Sequence, residues 1–157
     1  MWHLEKLNTE QKQLIMDAPA LVTLLVGNAD GHLDPKQMQK AFDIADVKSH
    51  TEHTPELKDY YTDVTISIEN RFQHWINILP TDHKERVKII SDELEKINDL
   101  WNDMDHNFAA QLYNSWRNIA VHIANASGGV LGIGTINNQE REVLHLPTLN
   151  NPSIASQ

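Results

Sequence analysis

Cysteine is absent from the 157 residues of this chain, and this absence excludes several kinds of covalent, metal-binding and catalytic site. Without thiols there is no disulfide, no zinc–thiolate site and no thiol nucleophile. The absence also fits a reducing compartment, and the first six residues lack the basic and then apolar run of a signal peptide. We therefore expect a cytoplasmic protein.

Long apolar runs and positive charge are also scarce. No stretch approaches the roughly 20 apolar residues of a membrane span, since the best candidate, 119–136, is interrupted by His122, Asn125 and a glycine cluster. The 13 Lys and Arg residues stand against 22 Asp and Glu, for a net charge of −9, and no basic patch is concentrated anywhere. We expect neither membrane insertion nor nucleic-acid binding, whereas divalent cations and basic protein surfaces match the charge.

Recognisable catalytic motifs are missing as well. Gly129 and Gly134 have the spacing of a P-loop, but Thr135 stands where the lysine must be, and no strand precedes the segment. Gly132-x-Gly134 lacks the third glycine of a dinucleotide fingerprint. No serine or threonine occupies a recognisable nucleophile elbow. The sequence therefore predicts no nucleotide cofactor and favours a protein that is not an enzyme.

Apolar residues recur at helical spacing along most of the chain. Pro35 and Pro55 are placed to begin helices, Pro80 to end one, and Pro19 to kink or split the first helix. The clearest apolar seam alternates steps of three and four, the spacing of helices packed side by side in a bundle. It comprises Val87, Ile90, Leu94, Ile97, Trp101, Met104 and Phe108.

The elements predict one all-α domain over residues 1–147, a bundle of about six to eight helices, followed by a disordered tail at 148–157. The polar stretch 46–54 is predicted to be a loop, a helix break is expected near His106, and a short last helix is expected from Asn138.

A short phrase occurs twice. Asn28-Ala29-Asp30-Gly31 closes an apolar stretch and leads into Leu33-Asp34-Pro35, whereas Asn125-Ala126-Ser127-Gly128 closes another and leads through a glycine-rich insert to Ile136-Asn137. Such a repeat predicts two related helix–loop–helix units and a pseudo-twofold bundle. Only the first copy keeps its aspartates.

Asp30 and Asp34 have two explanations. In the first, Gly31 ends one helix, Asp34 caps the next, and Gln37 completes a capping box. In the second, the two carboxylates bind a divalent cation, Ca²⁺ or Mg²⁺ rather than Zn²⁺. An EF-hand register fails, because it places Val26 at the first ligand position and Gln37 where a bidentate glutamate belongs.

These two segments resemble the tellurite-resistance TerB-like family. The first matches through Asn28-Ala29-Asp30-Gly31-x-Leu33-Asp34, and the second through its glycine-rich run from Ala126 to Glu140. The resemblance implies an all-helical, pseudo-twofold bundle with a role in stress and tellurite resistance and a divalent-cation site. By position, Asp30 and Asp34 match the acidic motif, whereas Ser127 stands where the other half would carry an aspartate.

Three further hypotheses come from the rest of the chain. Val130, Leu131 and Ile133 are apolar in a connecting loop, which suggests a surface that binds a protein partner. Asp99, Asp103 and His106 could form half of the carboxylate-x-x-His arrangement of di-iron bundles, which would make the chain a metal-dependent enzyme. A solvated acidic helix end explains the same three residues. A protein-interaction scaffold without any ligand is the third possibility.

Overall fold

The computed structural model describes residues 4–27, 35–52, 54–128 and 148–152. These ranges contain no strand, and their helices confirm the all-α class. Five α helices are present there, rather than the six to eight predicted for the chain, and the short helix expected from Asn138 lies outside the described ranges. The helices are α1 (Thr9–Gly27), α2 (Pro35–Thr51), α3 (Pro55–Ile78), α4 (His83–Glu95), a 3₁₀ helix (Lys96–Asp103) and α5 (His106–Gly128).

The centre of the bundle is α1, which contacts all four other α helices and the 3₁₀ helix. Every residue from Ala18 to Gly27 is buried. This follows from the sequence of that half, which is apolar on all sides, because a helix without a polar face is stable only when other elements surround it. None of the described helices is both long and apolar enough to span a bilayer.

Pro19 lies inside α1 without splitting it. A proline has no backbone N–H, so the carbonyl of Ile15, four residues earlier, loses its helical partner. The hydroxyl of Tyr60 on α3 donates to that carbonyl at 2.7 Å, and the indole N–H of Trp116 on α5 donates to Tyr60 Oη at 3.2 Å. The proline defect in the central helix is thereby satisfied by side chains of two neighbours.

The second helix is longer than predicted. The polar stretch 46–54 was expected to be a loop, but α2 continues to Thr51, so that prediction is wrong for residues 46–51. Polar side chains here serve the helix: Thr51 Oγ1 donates to the Val47 carbonyl at 2.9 Å, and Lys48 pairs with Glu52 at 3.2 Å, one turn away. His50 is therefore helical, while His53 lies outside the described residues.

The predicted seam is confirmed as a buried face. Its residues from Ile90 to Phe108 are buried, and Val87 packs against the core. The break expected near His106 falls at residues 104–105. Asp82 caps α4 through the Glu85 N–H at 3.0 Å, and Asp105 caps α5 through the Phe108 N–H at 2.9 Å.

Residues 148–152 are packed against the bundle, which corrects the predicted disordered tail for that part of it. Leu149 is only 3% exposed. Asn98 on the 3₁₀ helix donates to the Thr148 carbonyl at 2.8 Å and accepts from the Asn150 N–H at 2.7 Å. One apolar residue in a polar stretch, held by these bonds, is enough to anchor the segment. Residues 153–157 lie outside the described ranges.

Candidate functional site

The first copy of the repeated phrase connects two helix ends that touch each other. Asp30 and Asp34 lie outside the described residues, but the helices that flank them are described. The described part of α1 extends to Gly27, and α2 begins at Pro35 as predicted. The side-chain oxygen Oε1 of Gln37 lies 2.6 Å from the point where a Cβ on Gly27 would stand. The seven-residue connection therefore runs between two helix ends that contact each other through Gly27 and Gln37.

Gln37 is buried, although it is a polar residue in the first turn of α2. The sequence placed it in a capping box with Asp34, and its position was one reason to reject an EF-hand register. In the structure its amide packs against the backbone of Gly27, so that a Cβ at position 27 would require the Gln37 side chain to move. Gln37 thus packs the first turn of α2 against the end of α1.

The end of α1 favours cations electrostatically. A helix carries a partial negative charge at its carboxyl end, and a basic side chain in the last turn normally compensates for it. The last turn of α1 has no basic residue. The two carboxylates of Asp30 and Asp34 follow within seven residues of that end.

A cleft lined by five apolar and three polar residues lies between α2 and α3 and includes Pro35, the first residue of α2. Its volume is about 210 Å³, and Glu69 is its one charged lining residue among those described. Phe42 is 37% exposed in this cleft. The helical spacing of apolar residues does not reveal this exposure. Phe42 directly follows Ala41, which is buried in the core, so one helical turn contributes residues to both the core and the cleft. The other lining residues are Pro35, Met38, Gln39, Ile68, Phe72 and Gln73.

A second groove, of about 370 Å³, runs between α1 and α3 and is lined by residues with polar or charged side chains. Arg71 is held there by three partners: Nη1 donates to Asp17 at 2.7 Å and to the Gln13 carbonyl at 3.5 Å, and Nε donates to Ser67 at 2.9 Å. Both members of the Arg71–Asp17 ion pair are largely buried. The pair fixes α1 against α3, and sequence reasoning missed it because its members lie 54 positions apart.

Two adjacent tyrosines occupy the interior, where their hydroxyls serve packing. Tyr61 donates to Ser115 Oγ at 2.6 Å, and that hydroxyl donates to the Leu112 carbonyl at 2.8 Å. Burial raises the pKa of Tyr60 and of Tyr61 well above the ordinary value for tyrosine, with a further rise at Tyr60 from neighbouring Tyr61. Neither phenol ionises near neutral pH, so both act as internal hydrogen-bonding groups.

Comparison with protein-family models, curated proteins and solved structures found no match for this chain. The resemblance to the TerB-like family therefore depends on the two quoted sequence segments and stays a prediction.

The residues of the alternative metal hypothesis, Asp99, Asp103 and His106, are all exposed. A 3₁₀ helix has three residues per turn, so Asp99 and Asp103 are about 120° apart around its axis instead of on one face. The chain then breaks at residues 104–105 before His106 begins α5. Across the described ranges, no three His, Asp or Glu side chains form a group that could hold a metal ion. The predicted partner-binding residues Val130, Leu131 and Ile133 lie outside those ranges.

Proposed function

We propose that this chain is a non-enzymatic helical module that binds a divalent cation, Ca²⁺ or Mg²⁺, at the connection between α1 and α2. Asp30 and Asp34 supply the carboxylates, as the TerB-like resemblance implies. The contact between Gly27 and Gln37 carries the proposal, because it fixes the two ends of the connection beside each other. A short loop closed in this way can bring several oxygen ligands to one ion at little cost in chain entropy.

The electrostatics of the helix end support the same location. The carbonyl end of α1 has no basic side chain in its last turn, and the whole chain carries a net charge of −9. A cation near a helix carboxyl end gains about 0.3–1 kcal/mol from the helix dipole. Hard divalent cations prefer carboxylate and carbonyl oxygens, which are the groups that this connection offers.

Calorimetric titration with CaCl₂ and with MgCl₂ tests the proposal. We expect saturable binding by the unmodified chain, and its loss in the double variant Asp30→Asn/Asp34→Asn. The matched control is Asp59→Asn/Asp63→Asn, which removes the same charge from exposed positions on α3. If the two double variants weakened binding equally, the cation would be responding only to overall charge, and the assigned site would be wrong.

The cleft between α2 and α3 favours a second function, the binding of a protein partner. We infer that the partner is an amphipathic helix that places one apolar side chain against Phe42 and a basic side chain against Glu69. The volume of about 210 Å³ is enough for one large side chain, Phe42 is 37% exposed, and the lining charge is negative. The acidic surface of the chain would attract a basic partner and increase its association rate.

A model peptide tests this second function. The probe is a synthetic helix with leucines at helical spacing flanked by lysines, compared with the same peptide carrying glutamates. We expect amide signals of residues 38–42 and 68–73 to shift only with the lysine peptide. Phe42→Ala should weaken binding by about tenfold, because an apolar anchor at the centre of an interface contributes more than 1 kcal/mol.

The control for the peptide experiment is Ile66→Ala. Ile66 is 77% exposed on α3 and does not line the cleft. Equal weakening by Phe42→Ala and Ile66→Ala would show that the peptide associates with any exposed apolar residue, and the cleft would lose its assigned role.

A further inference from the structure

The groove between α1 and α3 continues along both helices into a neighbouring cavity. The two parts measure about 370 and 320 Å³, and their linings share Gln13, Ser67 and Arg71. On α3 the lining extends from Asp63 to His74, a length of about 16 Å by the rise of an α helix. Each part alone has the size of a small-molecule site. This α1–α3 groove is therefore large enough to hold a small molecule.

The Arg71–Asp17 ion pair in this groove keeps one donor and one acceptor free. Arg71 donates through Nε and Nη1, and Asp17 accepts through Oδ1. Arg71 Nη2 and Asp17 Oδ2 have no hydrogen-bond partner among the described residues, and neither atom is closed off from solvent. Both residues line the groove, and their side chains keep 16% and 15% of their surface exposed. The free N–H of Arg71 and the free oxygen of Asp17 therefore open onto the groove.

The opposite charges of these two groups decide which ligands fit. A ligand carboxylate that accepted from Nη2 would lie beside the carboxylate of Asp17, and a ligand ammonium that donated to Oδ2 would lie beside the guanidinium of Arg71. Both arrangements bring like charges together. A primary carboxamide has a carbonyl acceptor beside an N–H donor and no net charge. It can bond to both atoms without adding a charge to a pair that already compensates itself.

The remaining charges of the groove are balanced in the same way. Lys12 and Asp63 line the smaller part, so the described lining contains two basic and two acidic residues when His74 is neutral. The whole chain, by contrast, carries a net charge of −9. A balanced lining on a strongly acidic chain favours a neutral ligand over an ion of either sign.

Apolar side chains in the smaller part offer a place for the body of such a ligand. Leu4 is buried there, and Met16 is half-buried. The unbranched thioether of a methionine adapts to ligands of different shape and makes favourable contacts with aromatic rings. Burial of apolar ligand surface against these residues supplies affinity, while the ion pair supplies orientation.

We propose that the α1–α3 groove binds a small molecule that carries a primary carboxamide on an apolar body. The carboxamide oxygen accepts from Arg71 Nη2, its N–H donates to Asp17 Oδ2, and the apolar body packs against Met16. This site does not involve the connection between α1 and α2, so it is independent of the proposed cation binding.

Three probes of similar size test the ligand class by NMR: benzamide, sodium benzoate and benzylammonium chloride. They share a phenyl ring and differ in the group that meets the ion pair. Ionic strength is held constant, and EDTA removes any cation, so failure here is distinguishable from failure of the cation site. We expect saturable shifts of the backbone amides of residues 13–17 and 67–74, with benzamide saturating at a concentration about tenfold lower than either charged probe.

Asp17→Asn is the decisive variant, because it removes the charge that compensates Arg71. We expect its preference to reverse, so that benzoate saturates before benzamide. Asp99→Asn is the matched control, since Asp99 is exposed and does not line the groove, and it should keep the order seen in the unmodified protein. A mere loss of structural support in Asp17→Asn would weaken all probes alike and would not reverse their order.

Three results would overturn the proposal. They are equal saturation by all three probes, shifts that never saturate, and an unchanged order in Asp17→Asn. If Asp17→Asn fails to fold, the order of the three probes on the unmodified protein still decides the question.

Discussion

At the scale of single residues, Tyr60 shows how the fold accommodates a proline in its central helix. Pro19 leaves the Ile15 carbonyl without a helical donor, and the Tyr60 hydroxyl supplies one at 2.7 Å while accepting from Trp116. The sequence predicted that Pro19 would kink or split α1. It could not reveal the hydrogen bonds from Tyr60 to the Ile15 carbonyl and from Trp116 to Tyr60, because the bonded residues lie 45 and 56 positions apart.

Removal of the Tyr60 hydroxyl should therefore destabilise the protein through a specific carbonyl. We expect Tyr60→Phe to lower the free energy of unfolding by about 2 kcal/mol, because two buried groups lose their partner. Pro19→Ala restores an N–H at position 19 that can bond to the Ile15 carbonyl. In that background the cost of Tyr60→Phe should fall by about 1 kcal/mol, measured by urea denaturation as a double-mutant cycle. An unchanged cost would contradict the assigned role.

The two buried tyrosines also make stability dependent on alkaline pH. Their pKa values are raised in the folded state, so both states are protonated below about pH 10, the ordinary value, and stability is complete there. Above pH 10 the unfolded chain releases protons that the folded protein keeps. Each tyrosine should then lower the free energy of unfolding by about 1.4 kcal/mol per pH unit.

Chemical denaturation at pH 8, 9.5 and 11 measures this dependence. In Tyr61→Phe the decrease in the free energy of unfolding between pH 9.5 and 11 should be smaller by the contribution that Tyr61 makes in the unmodified protein. Contributions that the two proteins share cancel in the comparison. Identical losses in the two proteins would show that Tyr61 titrates alike in the folded and unfolded states.

At the scale of elements, the helices that begin or end at a proline were predicted most accurately. Thr54-Pro55 and Leu79-Pro80 bound α3 as expected. Proline has no backbone N–H to donate and its ring clashes with the preceding turn, so it is tolerated in the first turn of a helix but not in its interior. The end of α2 was missed, since Asp46, Ser49 and His50 are loop-favouring residues by composition. In the folded helix, Ser49 Oγ donates to the Asp46 carbonyl at 2.6 Å, a local bond that composition does not display.

The 3₁₀ helix and residues 148–152 form one packed unit, in which Asn98 is the central residue. Its side chain both donates to Thr148 and accepts from Asn150, while Trp101 Nε1 donates to the Asn150 carbonyl at 3.0 Å. We expect Asn98→Ala to lower the free energy of unfolding by about 1–2 kcal/mol. Hydrogen exchange at residues 148–152 should accelerate in the same variant.

Asn102→Ala is the matched control for that variant, because Asn102 is an exposed asparagine of the same 3₁₀ helix. It should leave both the stability and the exchange of residues 148–152 close to those of the unmodified protein. Equal effects of the two substitutions would mean that the 3₁₀ helix as a whole, and not the pair of hydrogen bonds made by Asn98, holds residues 148–152 in place.

At the scale of the whole molecule, the helical class follows from apolar spacing, whereas the sites depend on how helices meet. The cleft around Phe42 is lined by residues of both α2 and α3, and the pattern of a single helix does not encode how two helices meet. The grouping of Asp99 and Asp103 assumed 3.6 residues per turn, and the local 3₁₀ geometry separates them. The connection that contains Asp30 and Asp34 was identified from sequence, whereas the contact between Gln37 and Gly27 at the adjoining helix ends is seen only in the structure.

The most direct test of the central claim is a calcium titration followed by NMR at the two ends of that connection. The account predicts saturable shifts of the Gly27 backbone amide and the Gln37 side-chain amide, with Asp99, Asp103 and His106 unaffected. Saturable shifts centred on Asp103 and His106, or no shift at Gly27 and Gln37 at millimolar calcium, would contradict it.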